Sequence, residues 1–362
     1  MFLTFRNIVH YLLDAGLINK QEIFSDQLKI KPVESRNNSF MILRKNAPSY
    51  FLKQVKALDS ARTSTLKTEA DCYWLTQNHP AFSAIADHIP TYINYDYTNH
   101  ILVTECLTDT VNLAEFYSAA AHLPLEVAAR QAQTLAACHR QTQSIRADTR
   151  IKKLFSAHPP SVFGLDARSI EYWNEKDKAG EQMVKLIRGN RKFLELLQNA
   201  GRDWQPTTLI HGDIKHANFL IKETNGAFRT YLIDWEIASF GDPCWDVAGI
   251  LQNYFLYWID RETKAQQDAY QGFSLEEIQP SLQTFWETYR RAMEYAEAEA
   301  DRKLEKALRF AGLKLIQTCG ESVRNQPYMP TSSAMMLQLS MNILANPADT
   351  LRRLILQNET VA

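Results

Sequence analysis

The spacing of hydrophobic positions changes along the chain from a period of two to a period of about 3.6. Phe40-Met41-Ile42-Leu43 and Tyr50-Phe51-Leu52-Lys53-Gln54-Val55 are strand-like runs on either side of the polar, proline-containing stretch Lys45 to Ser49, and they read as a β-hairpin. Thr65 to Gln77 follows as a helix. Leu66, Ala70, Tyr73 and Trp74 recur there at one-face spacing, and Glu69 borders that face and points partly inward. Thr91 to Tyr95 and Ile101 to Glu105, joined by the polar Asp96 to His100, predict a second hairpin. Beyond it the helical period takes over, with helices at Leu125 to Ser144 and near Lys178 to Asn199, Leu275 to Ala298 and Arg302 to Asn325. The expectation is an α+β chain: a small strand-rich N-terminal lobe, 1–106, and a large, mainly helical C-terminal lobe, 107–362, joined in the polar stretch just after Glu105. No internal repeat, low-complexity tract or obvious flexible linker interrupts it.

The helical part has one exception. Asn218 to Ile221 and Thr230 to Asp234 are strand-like runs around Asn225-Gly226, the strongest short hairpin signal. A two-residue turn there sets Asn218 opposite Ile233 and within one residue of Asp234. An amide and a carboxylate side by side at a hairpin mouth suit a hard cation such as Mg²⁺, which takes oxygen ligands and keeps waters and substrate phosphates as the others. Asp213 lies five residues upstream, in a polar loop bracketed by Leu209-Ile210 and Phe219-Leu220-Ile221. Loops held by such flanks are where catalytic groups are presented.

Charge and composition narrow the partners. The chain has 362 residues, 40 Lys+Arg against 41 Asp+Glu, a net charge of -1 and 45% hydrophobic residues, enough for a large core. That balance gives no long-range field for nucleic acid or an anionic membrane. The longest apolar run, Val247 to Ile259, is broken by Gly249, Gln252 and Asn253, so no membrane span is expected. Met1 to Leu17 is apolar at helical spacing but carries Arg6, His10 and Asp14 and has no small-residue cleavage site, which reads as a mature N-terminus. Five dispersed cysteines without a C-x-x-C pair suggest neither disulfides nor zinc and fit a reducing cytoplasm.

His211-Gly212-Asp213, Asn218, Ile233-Asp234-Trp235-Glu236, Gly241-Asp242-Pro243 and Asp246 resemble, in order and spacing, the signature of the aminoglycoside phosphotransferase and choline kinase group, relatives of the protein kinases. Lys53 on an early strand, Glu69 on the next helix, Glu105 at the lobe junction and Leu135 to His139 match as well. The resemblance implies a bilobal protein-kinase-like fold and an ATP- and Mg²⁺-dependent transfer of the γ-phosphate to a substrate hydroxyl. It implies that Asp213 accepts or orients the hydroxyl, that Asn218 and Asp234 hold Mg²⁺, that Lys53 contacts the α and β phosphates, and that Glu69 fixes Lys53 by an ion pair. Glu105 and Leu107 would offer backbone groups to adenine. Lys215, two residues after Asp213, matches the lysine that protein Ser/Thr kinases place against the γ-phosphate. His211 is expected to order the loop, Asp242 to serve its turn, and Asp246 to anchor a loop or helix.

One stretch departs from the pattern. Val33 to Phe40, where the phosphate-covering turn should lie, has no glycine, although Asn37, Asn38 and Ser39 partly substitute. A narrower similarity, through Leu209 to Lys215, Asp234 to Glu236 and Gly241 to Val247, is to phosphotransferases acting on Ser/Thr of ribosomally made peptide precursors, as in lanthipeptide biosynthesis. Such a role would imply a peptide substrate and a peptide-modifying partner enzyme. The acceptor is therefore left open between a small molecule and a peptide hydroxyl, and the alternative is a catalytically weak kinase-fold module that binds nucleotide or peptide.

Overall fold

The computed structural model describes residues 1–24, 27–120, 122–164, 178–264 and 272–355. They form two compact units, one made of Met1–Thr110 with Tyr231–Ala238 and the other of Val111–Thr230 with Ser239–Ala362.

The first unit holds α1 (Ile8–Asp14), α2 (Lys20–Phe24), β1 (Leu28–Val33), β2 (Asn38–Arg44), β3 (Tyr50–Gln54), α3 (Ser60–Asn78), β4 (Tyr92–Asp96) and β5 (Ile101–Glu105). The strands make one antiparallel sheet in the order β1-β2-β3-β5-β4, with Lys53 of β3 opposite Leu102 of β5. Side chains alternate between the faces of a sheet. Phe40, Ile42, Leu52, Ile101 and Val103 therefore share one face and form a core with Leu3, Ile8, Tyr11, Leu12 and Ile18. Lys53, next to Leu52, is directed to the other face.

Helix α3 starts five residues before the apolar pattern shows it, because Asp59 caps it by accepting from the Arg62 amide and its first turns are polar. Its inner stripe runs through Leu66, Glu69, Ala70, Tyr73 and Thr76. Trp74, expected on that stripe, lies at its flank and is 46% exposed.

The second unit contains β6 (Val111–Asn112), α4 (Leu113–Ala119), α5 (Leu125–Thr142), α6 (Thr149–Lys152), α7 (Lys178–Gly189), α8 (Arg191–Ala200), β7 (Thr208–Ile210), β8 (Phe219–Thr224), β9 (Ala227–Leu232), β10 (Ser239–Gly241), α9 (Pro243–Lys264), α10 (Leu275–Ala292), α11 (Glu297–Ser322), α12 (Thr331–Ala345) and α13 (Pro347–Leu354). The last two residues of β9 already belong to the first unit. Its centre is helical: α5 packs on α10, and α11 on α9 and α12.

Two expected helices are subdivided. The helix expected over Lys178 to Asn199 breaks at Asn190, whose side chain accepts from the Phe193 amide and caps α8. The helix expected to reach Ala298 stops at Ala292, and Glu294 then takes φ +58°, which ends the helical path before α11 begins.

The turn Asn225-Gly226 has φ +52° and +78°, both positive as a type I′ turn requires, with strands of equal length on its two sides. The order in this small sheet is β6-β8-β9. Its ladder is one residue shorter than the pattern suggests: Asn218 sits in a 3₁₀ turn before β8, and Ile233 and Asp234 lie past the end of β9. All five cysteines are free and buried. Among the described residues no helix is long and apolar enough to cross a membrane.

Candidate active site

In the first unit, strand alternation and the facing stripe of α3 bring Lys53 to Glu69, with Nζ 2.6 Å from Oε2. The same ammonium lies 2.5 Å from Asp234 Oδ1 and 3.9 Å from Glu236 Oε2. Burial alone would lower the pKa of Lys53, but Glu69 and then Asp234 outweigh it and hold the group above its usual range. Glu69 is fully enclosed, and burial pushes it up to about 7 against the pull of Lys53. Asp234 has φ +68°, a left-handed geometry that costs a non-glycine residue about 1–3 kcal/mol and that clusters at functional sites.

The carboxylates of Glu69, Asp234 and Glu236 have ligand atoms all within 4.8 Å of one another. Clustered hard oxygen donors facing a single buried ammonium suit a divalent cation such as Mg²⁺. The sequence pattern gives Glu236 no role of its own, although it stands two residues from Asp234 in the Ile233-Asp234-Trp235-Glu236 motif. Its other partner is Arg36, at the tip of the glycine-free turn between β1 and β2. That turn is held by the Ser35 hydroxyl, which donates to the Asn37 carbonyl at 2.8 Å, and by Lys56, which donates to the Ser35 carbonyl at 2.8 Å. Glu105 and Leu107 are in the same unit. The Glu105 carboxylate accepts from the Thr91 hydroxyl at 2.7 Å, its amide donates to the Thr91 carbonyl, and the Leu107 carbonyl accepts from the Thr110 hydroxyl at 2.8 Å.

The second unit carries the loop His211 to Asn218. It opens at Gly212, whose φ of +86° favours glycine there. The His211 and Gly212 amides both donate to the buried Asp246 carboxylate, at 2.7 and 2.9 Å, and His139 Nε2 lies 3.2 Å from it. Burial works to raise Asp246, but His139, His211 and the Gly212 amide bring it below the usual carboxylate range. His211 Nδ1 accepts from the Asp213 amide at 3.2 Å, closing the turn under Asp213.

Asp213 itself is ion-paired to Lys215 at 2.7 Å, with both side chains close to half exposed. Asn218 Nδ2 donates to the Asp213 carbonyl at 3.0 Å and reaches its Oδ2 at 3.5 Å. Helix α9 supports the loop from behind. Asn253 accepts from the His216 amide at 3.1 Å and donates to the Ile214 carbonyl at 3.2 Å. A Cβ on Gly249 would stand 2.7 Å from Ile214 Cβ and 2.8 Å from its carbonyl oxygen, so only glycine lets α9 approach this closely. His216 is buried against Tyr117, Tyr254 and Tyr257, and burial pushes it down to about 3, which keeps it neutral. Tyr254 and Phe255 are core residues of α9, and Tyr257 stacks on His216.

Thus Lys53, Glu69 and Asp234 meet in one unit, and Asp213, Lys215 and Asn218 meet in the other. A buried lysine paired to two carboxylates and a clamped loop presenting an aspartate are the working parts of phosphoryl transfer. The model of the phosphotransferase enzyme family (APH) matches residues 29–295, and the chain belongs to that family. No curated protein matches the sequence.

Solved structures similar to it include a choline kinase from Cryptosporidium parvum Iowa II, at 14% identity and TM-score 0.55, covering 94% of this chain and 97% of that one. Another is the GDP and kanamycin complex of APH(2")-IIia, at 15% identity and TM-score 0.54, covering 92% and 99%. A third is a microcompartment-associated aminopropanol kinase, at 14% identity and TM-score 0.52, covering 93% and 98%. The fold is kinase-like, with a small antiparallel-sheet part and a largely helical part. The chain is a phosphotransferase.

Proposed function

We infer that the protein is an ATP- and Mg²⁺-dependent kinase that moves the γ-phosphate to a substrate hydroxyl. The observation that carries this reading is the Lys53 ammonium bound at once to Glu69 and Asp234. Glu69 holds Lys53 where a nucleotide's α and β phosphates need a positive charge, and Glu105, the last residue of β5, and Leu107, two residues beyond it, are the residues expected to meet adenine. Asp234, with Glu236 beside it, and Asn218 are the residues expected to hold Mg²⁺, which supplies charge neutralisation on the phosphates. Asp213 orients the acceptor hydroxyl and takes up its proton, while Lys215 neutralises charge on the phosphoryl oxygens. In this reading 1–106 binds the nucleotide, and 107–362 carries the catalytic loop and the substrate cleft. The cytoplasm is the proposed compartment.

The acceptor is a small-molecule hydroxyl or a Ser/Thr hydroxyl of a peptide precursor. The similar structures add choline, aminopropanol and kanamycin to the panel, and the signature adds Ser/Thr peptides, with a peptide-modifying enzyme as the partner for that case. A screen of these acceptors with ATP and with GTP, read as nucleotide consumed, tests the reading. Consumption that rises with one acceptor and vanishes without Mg²⁺ supports it, and nucleotide binding with no turnover for any acceptor favours a binding module instead. The glycine-free turn, with Arg36 tied to Glu236, is the observation on the side of that second reading.

A further inference from the structure

Lys314 lies deep in the second unit, 6% exposed, on the stretch Leu313-Lys314-Leu315-Ile316 of α11 where every neighbour in sequence is buried and apolar. An ammonium taken out of water needs strong compensation. Lys314 has no carboxylate within salt-bridge distance among the described residues. Its Nζ instead lies 4.0 Å above the Trp245 ring and 3.5 Å from the Gly212 carbonyl oxygen. That carbonyl also accepts from the Trp245 indole N–H at 3.0 Å. It belongs to the peptide that joins Gly212 to Asp213. The other side of the same turn, the His211 and Gly212 amides, is held by Asp246.

Charges face Lys314 from each side: Asp246 on α9, Asp213 and Lys215 on the loop, and Glu321 further along α11. His139 and His211 stand behind Asp246. Four residues before Phe310, the same flank of α11 sends Lys306 to Asp242 at 2.5 Å, an ordinary buried ion pair. Among the described residues Lys314 has no such partner, and its charge is directed at the backbone that carries Asp213.

We propose that Lys314 is a positioning residue for the phosphotransferase reaction: its protonated ammonium fixes the Gly212–Asp213 peptide, and through it the Asp213 carboxylate, so that transfer fails when Lys314 loses its proton. Burial pushes the group down to about 8, with Asp246 and Asp213 opposing, which places that loss near physiological pH. The inference rests on the kinase reading for its effect on turnover, but not for its effect on the loop.

Two measurements test it on the full chain. The first is ATP turnover across pH for wild type, Lys314→Met and Lys314→Arg, with water or a panel hydroxyl as acceptor. The expected result is a wild-type rate that falls above about pH 8, and a methionine variant whose kcat is lower by about tenfold or more near neutral pH while its nucleotide KM stays within about twofold. The arginine variant, which keeps its charge, should lose the alkaline fall. An alkaline limb that persists unchanged in Lys314→Met overturns the proposal.

The second reads the Trp245 indole N–H by ¹⁵N NMR, assigned among the seven tryptophans with Trp245→Phe. Because the indole shares its acceptor with Lys314, its signal should move with a midpoint of about 8 in wild type and stay fixed in Lys314→Met. An indole that does not titrate, or that titrates alike in both proteins, overturns the inference whether or not ATP is consumed. A titrating indole in a chain that consumes no ATP overturns the kinase reading and supports the strap on the loop.

Discussion

Lys53 and Asp234, 181 residues apart in sequence, are joined by a 2.5 Å ion pair inside one compact unit. Removing the ammonium leaves Glu69, Asp234 and Glu236 without the cation they surround. Lys53→Met is therefore expected to lose about 3–5 kcal/mol of stability, the usual penalty for breaking a buried pair. Millimolar Mg²⁺ should restore part of it by binding the carboxylates of the folded state. Melting curves with and without Mg²⁺ check this, and a variant indifferent to the metal counts against the cluster as a cation site. In the same framework, Asp234→Asn should weaken Mg²⁺-dependent ATP binding in calorimetry.

Asp213→Asn keeps the volume and the backbone clamps of the loop and removes only the charge. Its turnover should fall by about 10²- to 10⁴-fold while ATP affinity holds, as for loss of a positioned base. Phosphoryl transfer near the wild-type rate would show that Asp213 does not act on the acceptor.

Lys215 is paired with Asp213 at 2.7 Å and is half exposed, so its stability contribution is small. In the proposed reaction its charge acts on the transition state. Lys215→Ala should lower kcat more than it raises KM for ATP, and Lys215→Arg should recover part of the rate. Steady-state kinetics giving an unchanged kcat in the alanine variant would reduce Lys215 to a surface charge.

Lys314 also has a stability signature whose sign is fixed. Its folded-state pKa, about 8, is below the ordinary 10.5, so between those values the unfolded chain binds the extra proton and stability from this group rises with pH. Below pH 8 the buried charge is a standing cost of roughly 3 kcal/mol. Lys314→Met should thus be more stable than wild type at pH 6.5, with the gap shrinking by pH 9.5. Urea titrations at the two pH values decide it, and a methionine variant that is less stable at pH 6.5 rejects the assignment.

Gly249→Ala would press a methyl group into the Ile214 carbonyl at 2.8 Å. Overpacking of this kind costs about 1–3 kcal/mol, and here the strain falls on the loop that carries Asp213. Turnover should drop along with the melting temperature, more than for a control such as Gly189→Ala, where a Cβ meets open space.

Much of this arrangement was legible in the sequence because its signals are local. Period-two runs around short polar turns mark β2, β3, β4 and β5, and Asn225-Gly226 marks the hairpin through the left-handed geometry it adopts. The loop from His211 to Asn218 is a single short motif, so its residues come together by chain connectivity alone. What pattern cannot show is how far a helix extends through polar residues, as at the start of α3, or which flank of an apolar stripe is covered, as for Trp74. The breaks at Asn190 and Glu294 depend on single residues within long helical periods. The pairing of Arg36 with Glu236 depends on tertiary folding across 200 positions, with no spacing rule behind it. Lys314 left one trace, a lysine inside an apolar run, but an isolated helical lysine reads as solvated until the helix facing it is known.

The segment Tyr231–Ala238 joins a unit whose other residues all lie before position 111. On a ribosome this orders events in time. The sheet and α3 can assemble when the first 110 residues have emerged, and Lys53 can then meet Glu69, but Asp234 and Glu236 do not yet exist. The ammonium must wait through the synthesis of more than a hundred further residues before its remaining carboxylates arrive. A nascent chain halted before Asp234 therefore has Lys53 and Glu69 but not Asp234 and Glu236, and the proposed divalent-cation site should appear late, as a discrete step in the life of each molecule.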